Sequence, residues 1–207
     1  MRSMTVLLAC ALAATLHTAP RAASSAAAAA PAPMTITSAR VSLDGTSNIH
    51  PYTASSSTVR VIALEIGGAP AGDLLDRVLL PGGLTALEVA IPATSLTSPR
   101  DGVDKNMHKA LKTTEFADIK FRLGAIEPAA GGAYRATGWL TIAGVEKAVT
   151  LTVRAQRNTS ALAVTATTDL LMTDYGVTPP KAMMGMLKTD PKVQIRIELV
   201  LGASSLT

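Results

Sequence analysis

Little in this sequence can do covalent chemistry. Cys10 is the one cysteine among 207 residues, so the chain beyond it has no thiol nucleophile and no disulfide. No Gly-x-Ser-x-Gly elbow occurs, and no spacing orders serine, histidine and aspartate into a triad. Only His50 and His108 lie beyond the first thirty residues, and two histidines without ligand spacing make a poor metal site. No segment approaches the ~20 consecutive apolar residues of a membrane helix, so no membrane span is expected. Charge is equally uninformative. The formal +4 includes Arg2 and Arg21 near the start, and setting them aside leaves 17 basic against 15 acidic residues. These charges are dispersed, which excludes a nucleic-acid footprint.

What is present begins with an export signal. Arg2 supplies a short basic region, Val6 to Leu16 an apolar one, and small residues follow, the layout of a secretory signal peptide. The expected organisation is a signal peptide over 1–26, a flexible Ala/Pro leader over 27–33 and one domain over 34–202. Cleavage is expected between Ala19 and Ala26. Leu7-Leu8-Ala9-Cys10 has the look of a lipidation box but comes too early in the apolar region. The protein is therefore expected in the periplasm or outside the cell. A domain of roughly 170 residues without disulfides can rest on its own core, since about 70% of the unfolded surface is buried at that size.

After the leader, short runs rich in Val, Ile and Thr alternate with Gly, Pro, Asp and Ser, the pattern of an all-β sandwich or barrel. Strands are expected over Thr35–Leu43, with a turn at Asp44-Gly45, then over Thr58–Ile66 and Leu84–Ile91. Ile119–Ile126 and Tyr134–Ile142 form a hairpin, followed by Lys147–Gln156, Ala161–Met172 and Val193–Leu201. Val149, Leu151 and Val153 face one way and Thr150, Thr152 and Arg154 the other, a half-buried strand. Val193, Ile195, Ile197 and Leu199 repeat that pattern in the last strand. One segment differs. Val103, Met107 and Leu111 recur at helical spacing, with Asp101 placed to cap the helix. About eight strands with one short helix fit an antiparallel barrel, whose interior at that size holds side chains or one small ligand.

Three stretches carry a family resemblance. Gly138-Trp139-Leu140-Thr141-Ile142-Ala143-Gly144-Val145 runs on into Lys147-Ala148-Val149-Thr150-Leu151. Leu96 to Asp101, followed by Met107 to Lys112, makes a helix-bearing connection, and Asp174-Tyr175-Gly176-Val177 precedes the closing strand. In order and spacing these resemble the YceI-like family, over about Thr35 to Leu201. The opening Gly45-Thr46-Ser47-Asn48-Ile49-His50 departs from the commoner start of that family, and aromatics are sparse at 3%. The resemblance implies a lipocalin-like barrel, no catalysis, and a long apolar guest such as a polyisoprenoid or quinone-like lipid in place of a cofactor. It also implies a homodimer.

Six methionines follow the leader: Met34, Met107, Met172, Met183, Met184 and Met186. All but the first fall on the helix or around the late loop, where flexible, polarizable side chains suit an adaptable apolar guest. The expected lining is Met107, Leu111, Phe121, Leu140, Ile142, Leu151, Met172, Met183, Met184, Met186, Ile195 and Ile197, with Ile119 and Val149 beside them. The segment from Asp174 to Met186 reads equally as a plain turn and connection or as a lid on the barrel. Lys181 with Lys188, or Lys105 with Lys109, are solvated surface lysines unless a pyrophosphate meets them at the mouth. His50 is expected to bond within its turn, and His108 to lie on the helix surface. Trp139 is a packing residue whose indole would also report on a guest. The competing reading is a barrel with a filled core that acts as an envelope interaction or stress-response module. Cavity volume separates the two.

Overall fold

A computed structural model describes residues 34–67, 73–182 and 186–203. Ten strands and two helices follow one another: β1 (Met34–Ser47), β2 (Tyr52–Ser56), β3 (Arg60–Ile66), α1 (Leu74–Arg77), β4 (Leu84–Pro92), α2 (Asp101–Ala110), β5 (Asp118–Pro128), β6 (Tyr134–Ile142), β7 (Val145–Arg157), β8 (Ala161–Leu171), β9 (Lys181–Ala182) and β10 (Leu187–Ala203). Nine strands make one curled antiparallel sheet in the order β2-β1-β10-β8-β7-β6-β5-β4-β3, and β9 pairs with β10 off this path. The expected all-β, lipocalin-like architecture is thus present, with its helix in the connection after β4. The signal-peptide and leader segments lie outside the described residues.

Alternation decides which side of each strand is buried. In β7 Leu151 and Val153 are buried while Thr150, Thr152 and Arg154 face solvent, and in β10 Val193 and Leu201 are buried while Gln194, Arg196 and Glu198 are exposed. The β6–β7 hairpin turns at Ala143 and Gly144, both with positive φ (48° and 80°), the conformation a two-residue hairpin turn requires. A side chain on Gly144 would also strike the Phe116 ring packed beneath it.

Several local expectations are corrected. Asp44-Gly45 is no turn. It continues β1, which pairs there with β10 on one side and β2 on the other, and the Tyr52 phenol lies where a Gly45 side chain would sit. Strand β2 and helix α1 were not foreseen. Asp101 does not cap α2; the N-cap is Arg100, without a side-chain cap. The helix start is held by the Asp104 carboxylate, which accepts the Ser98 N–H at 2.7 Å. Strand β8 ends at Leu171, and Met172–Tyr175 is a 3-10 turn closed by left-handed Gly176.

No ladder joins the outer strands β2 and β3 among the described residues, so the barrel has a seam. The segment after β4 stitches it. Ser55 and Thr97 exchange two backbone hydrogen bonds of 2.8 and 3.0 Å. Beside them the buried Ser56 hydroxyl meets that of Ser95 at 2.7 Å, which leaves this buried polar group satisfied.

Candidate functional site

Strand β10 measures the barrel from end to end. Val193 belongs to a cluster with Leu111, Leu170, Tyr175 and Val177, and Leu201 to one with Leu75, Val78, Met34 and Leu162. The eight-residue interval corresponds to roughly 26 Å at strand rise. Helix α1 therefore plugs one end, and α2 with the Met172–Tyr175 turn flanks the other.

Two cavities lie in succession between these ends. The inner one, of about 190 Å³, is walled by the inward faces of eight strands, among them Ile36, Val89, Phe121, Leu140, Leu151 and Ile197. Every residue around it is apolar except Thr168. The outer one, of about 340 Å³, is walled by α2 through Val103, Met107 and Ala110, by Met172, Tyr175 and Val177, and by Val193 of β10. Leu43, Leu111, Ile142 and Ile195 wall both cavities, so the two abut. Apart from Thr168, the polar side chains are at the outer one, where Ser47, His50, Tyr52, Arg100, Asn106 and Thr189 contribute.

Packing shapes the inner cavity. The Phe121 ring lies across Gly138, where any side chain would collide with it. Glycine there lets the ring lie against the wall of β6. At the mouth, α2 is anchored by His108, whose Nε2–H donates to the Leu96 carbonyl at 2.8 Å. The Arg100 guanidinium donates to the His50 imidazole at 2.9 Å. Burial raises the pKa of the Tyr52 phenol, with the nearby Asp190 charge adding to it. That of Tyr175 is pushed up to about 12 by burial and then by Asp174, so both phenols stay protonated and remain donors at neutral pH.

Of the residues expected to line a ligand site, Met107 and Met172 wall the outer cavity, Phe121, Leu140, Leu151 and Ile197 the inner, and Leu111, Ile142 and Ile195 both. Ile119 and Val149 also border the inner cavity. Met183 and Met184 lie outside the described residues. Met186 is placed differently from expectation. Its side chain is 67% exposed and lines neither cavity, while its carbonyl accepts from the Asn48 amide at 2.8 Å. Instead Tyr175, Val177 and Pro180 carry the late segment over the mouth.

Three further expectations change: His108 is a half-buried anchor of α2 and not a surface group, the His50 ring finds its partner outside its turn, and Trp139 stands apart from both cavities. His50 and His108 have separate partners and do not converge, and no group of potential metal ligands occurs among the described residues. The His50 ring faces Arg100, although its backbone bonds within the turn through Ser47. Trp139 is 38% exposed on the outer face, with the Arg122 guanidinium 4.2 Å above its ring. Its indole lines neither cavity and cannot serve as a reporter inside one. Lys105, Lys109 and Lys188 line neither cavity. Sequence reasoning missed Leu43, Val103, Tyr175, His50 and Arg100 as wall residues. For Val103 the helical spacing was a usable signal, whereas nothing in the chain joins His50 to Arg100.

Similar folds occur in solved structures. Burkholderia cenocepacia BcnA superposes with a TM-score of 0.63 at 19% identity, covering 78% of this chain and 95% of that one. A Campylobacter jejuni YCEI protein gives 0.56 at 15%, covering 77% and 85%. A polyisoprenoid binding domain from Saccharophagus degradans, implicated in plant cell wall breakdown, gives 0.57 at 13%, covering 84% and 99%. At such identities these likenesses establish the fold alone. No curated protein sequence matches the chain. The model of the YceI-like domain matches residues 30–201, and the chain belongs to that family.

Proposed function

We propose that this protein is a non-catalytic lipid binder that holds one linear apolar molecule, an isoprenoid or quinone-like lipid, along the two abutting cavities. The observation that carries this reading is the sequence of linings. An almost wholly apolar inner cavity opens against a larger one whose polar groups gather at its mouth. A hydrocarbon chain fits the first, and burying it contributes roughly 0.8 kcal/mol per CH₂, enough for useful affinity with no specific polar contact. The outer cavity falls within the range of ~300–1,000 Å³ usual for ligand sites. That volume favours a guest over a filled core acting as an interaction module. The polyisoprenoid-binding description of one structural neighbour supports the same class of guest. With the export signal read from residues 1–26, the binder would carry, store or protect its lipid in the cell envelope.

Titration with detergent-solubilised long-chain quinones and prenyl lipids tests the proposal. Saturable binding of one molecule per chain is expected. Absence of binding by every lipid in the series would overturn it.

A further inference from the structure

The connection from β1 to β2 holds an apolar side chain out in water. Ser47 closes this turn, its N–H and its hydroxyl both donating to the His50 carbonyl, at 3.1 and 2.7 Å. Asn48 suits a turn, but Ile49 is a β-branched apolar residue and stands 56% exposed. Asn48 ties the turn to the segment that enters β10. Its side-chain N–H donates to the Met186 carbonyl at 2.8 Å, and its side-chain oxygen accepts the Lys188 N–H at 2.8 Å. Met186 is 67% exposed. Single apolar side chains are ordinary on a protein surface. These two stand on segments fastened to each other, and Ser47, His50 and Thr189 of the same segments wall the outer cavity. Ile49 and Met186 line neither cavity, so they stand at the rim and outside it.

Size and charge narrow what this pair can meet. Two side chains offer far less than the ~1,200–2,000 Å² that a stable protein interface buries, which argues against a second copy or another protein. A lipid surface needs no such area, because each apolar side chain gains separately on leaving water. Among the charges that flank the rim, Lys188 and Arg100 are offset by Asp190 and Asp101, all four exposed. No excess of one sign directs the rim to anionic headgroups. A prenyl guest is itself driven out of water, so the rim of its cavity is where the barrel meets the phase that holds it.

We infer that Ile49 and Met186 insert into a lipid bilayer and turn the mouth of the outer cavity toward it, so that the guest passes between membrane and barrel without crossing water. This rests on the lipid-binding reading and adds to it the surface at which the guest is exchanged.

The test floats lipid-free protein, isolated from its own host, with vesicles of phosphatidylcholine alone and of phosphatidylcholine with phosphatidylglycerol. Wild type is compared with the double variant Ile49→Asp/Met186→Asp and with Ile62→Asp, which removes a comparably exposed apolar side chain (58%) from β3. Wild type is expected to float with both kinds of vesicle. The double variant should bind them at least about tenfold more weakly and take up a long-chain quinone from donor vesicles correspondingly more slowly. Its equilibrium affinity for detergent-solubilised quinone should equal that of wild type, and Ile62→Asp should match wild type throughout. Four results would each overturn the inference while lipid binding stands: wild type that floats with neither vesicle or with the anionic one alone, a double variant that floats as well as wild type, an equal loss from Ile62→Asp, or a double variant with weakened affinity for detergent-solubilised quinone. Failure of detergent-solubilised quinones and prenyl lipids to bind wild type would overturn the lipid-binding reading itself.

Discussion

At one end of the barrel Leu75 and Val78 of the α1 segment are 1% and 2% exposed and pack with Met34, Leu162 and Leu201. Arg157 fastens that segment from outside, bonding Asp73 at 2.7 Å and Asp76 at 2.8 Å. At the other end α2 has no buried residue within its span, and Val103 and Met107 face a cavity. Both ends are capped by a helix, yet the α1 end meets the smaller, almost wholly apolar cavity through Met34, Val78 and Leu201, and the α2 end meets the larger one. The difference lies in what each helix inserts: branched side chains that complete a cluster at α1, and at α2 an unbranched methionine and Ala110 that leave space. The α1 end is thus closed by tightly packed side chains, and the α2 end borders the larger cavity.

The largest effect that would break this comparison is on stability. Leu75→Ala should cost about 2–5 kcal/mol in denaturant unfolding, the range for a buried leucine, whereas Met107→Ala should cost less than about 1 kcal/mol because its site is half-empty. Equal costs at the two ends would dissolve the distinction. Next is the effect on binding. Ala110→Trp places a large side chain on the wall of the outer cavity and should weaken quinone binding at least about tenfold, while circular dichroism keeps the β signature. Undiminished affinity would place the guest elsewhere.

Within the barrel, Gly138→Ala would press a methyl group against the Arg122 carbonyl of β5 and against the Phe121 ring, so that strand and ring must both shift, lowering Tm and lipid capacity together. The smallest effect concerns the latch at the plugged end. The Arg157 hydrogen bond, followed by the Leu75 N–H and the Arg157 charge, holds Asp73 at about 2, below its ordinary 3.8. Since the folded-state value is depressed, the contribution is fully present above about pH 4 and is lost as pH falls through about 2. Arg157→Ala should therefore lower Tm slightly at neutral pH, as expected of an exposed pair, and the difference should shrink in acid. A difference that grows in acid would contradict the pairing.

Much of the frame was readable because alternation is a local signal. Tyr134–Ile142 matches β6 residue for residue, and the inward set of β7 and β10 follows from period two alone. Strand β2 was not readable, because Tyr52-Thr53-Ala54-Ser55-Ser56 lacks an apolar alternation and exists as a strand by pairing with β1. Asp44-Gly45 carries turn residues, but two neighbouring strands hold it extended. For the site, strand faces gave the inner wall. Counting methionines gave Met107 and Met172 their place and misplaced Met186, since composition does not say which way a loop side chain turns. The meeting of His50 with Arg100, and of Tyr175 with α2, depends on chain segments far apart in sequence.

The central claim is tested most directly by native mass spectrometry of the protein isolated from envelope extracts of its own host, followed by solvent extraction of whatever it carries. The account predicts one non-covalently held prenyl lipid per chain that disappears from Ala110→Trp. Protein that arrives empty, and stays empty after incubation with long-chain quinones, would contradict it.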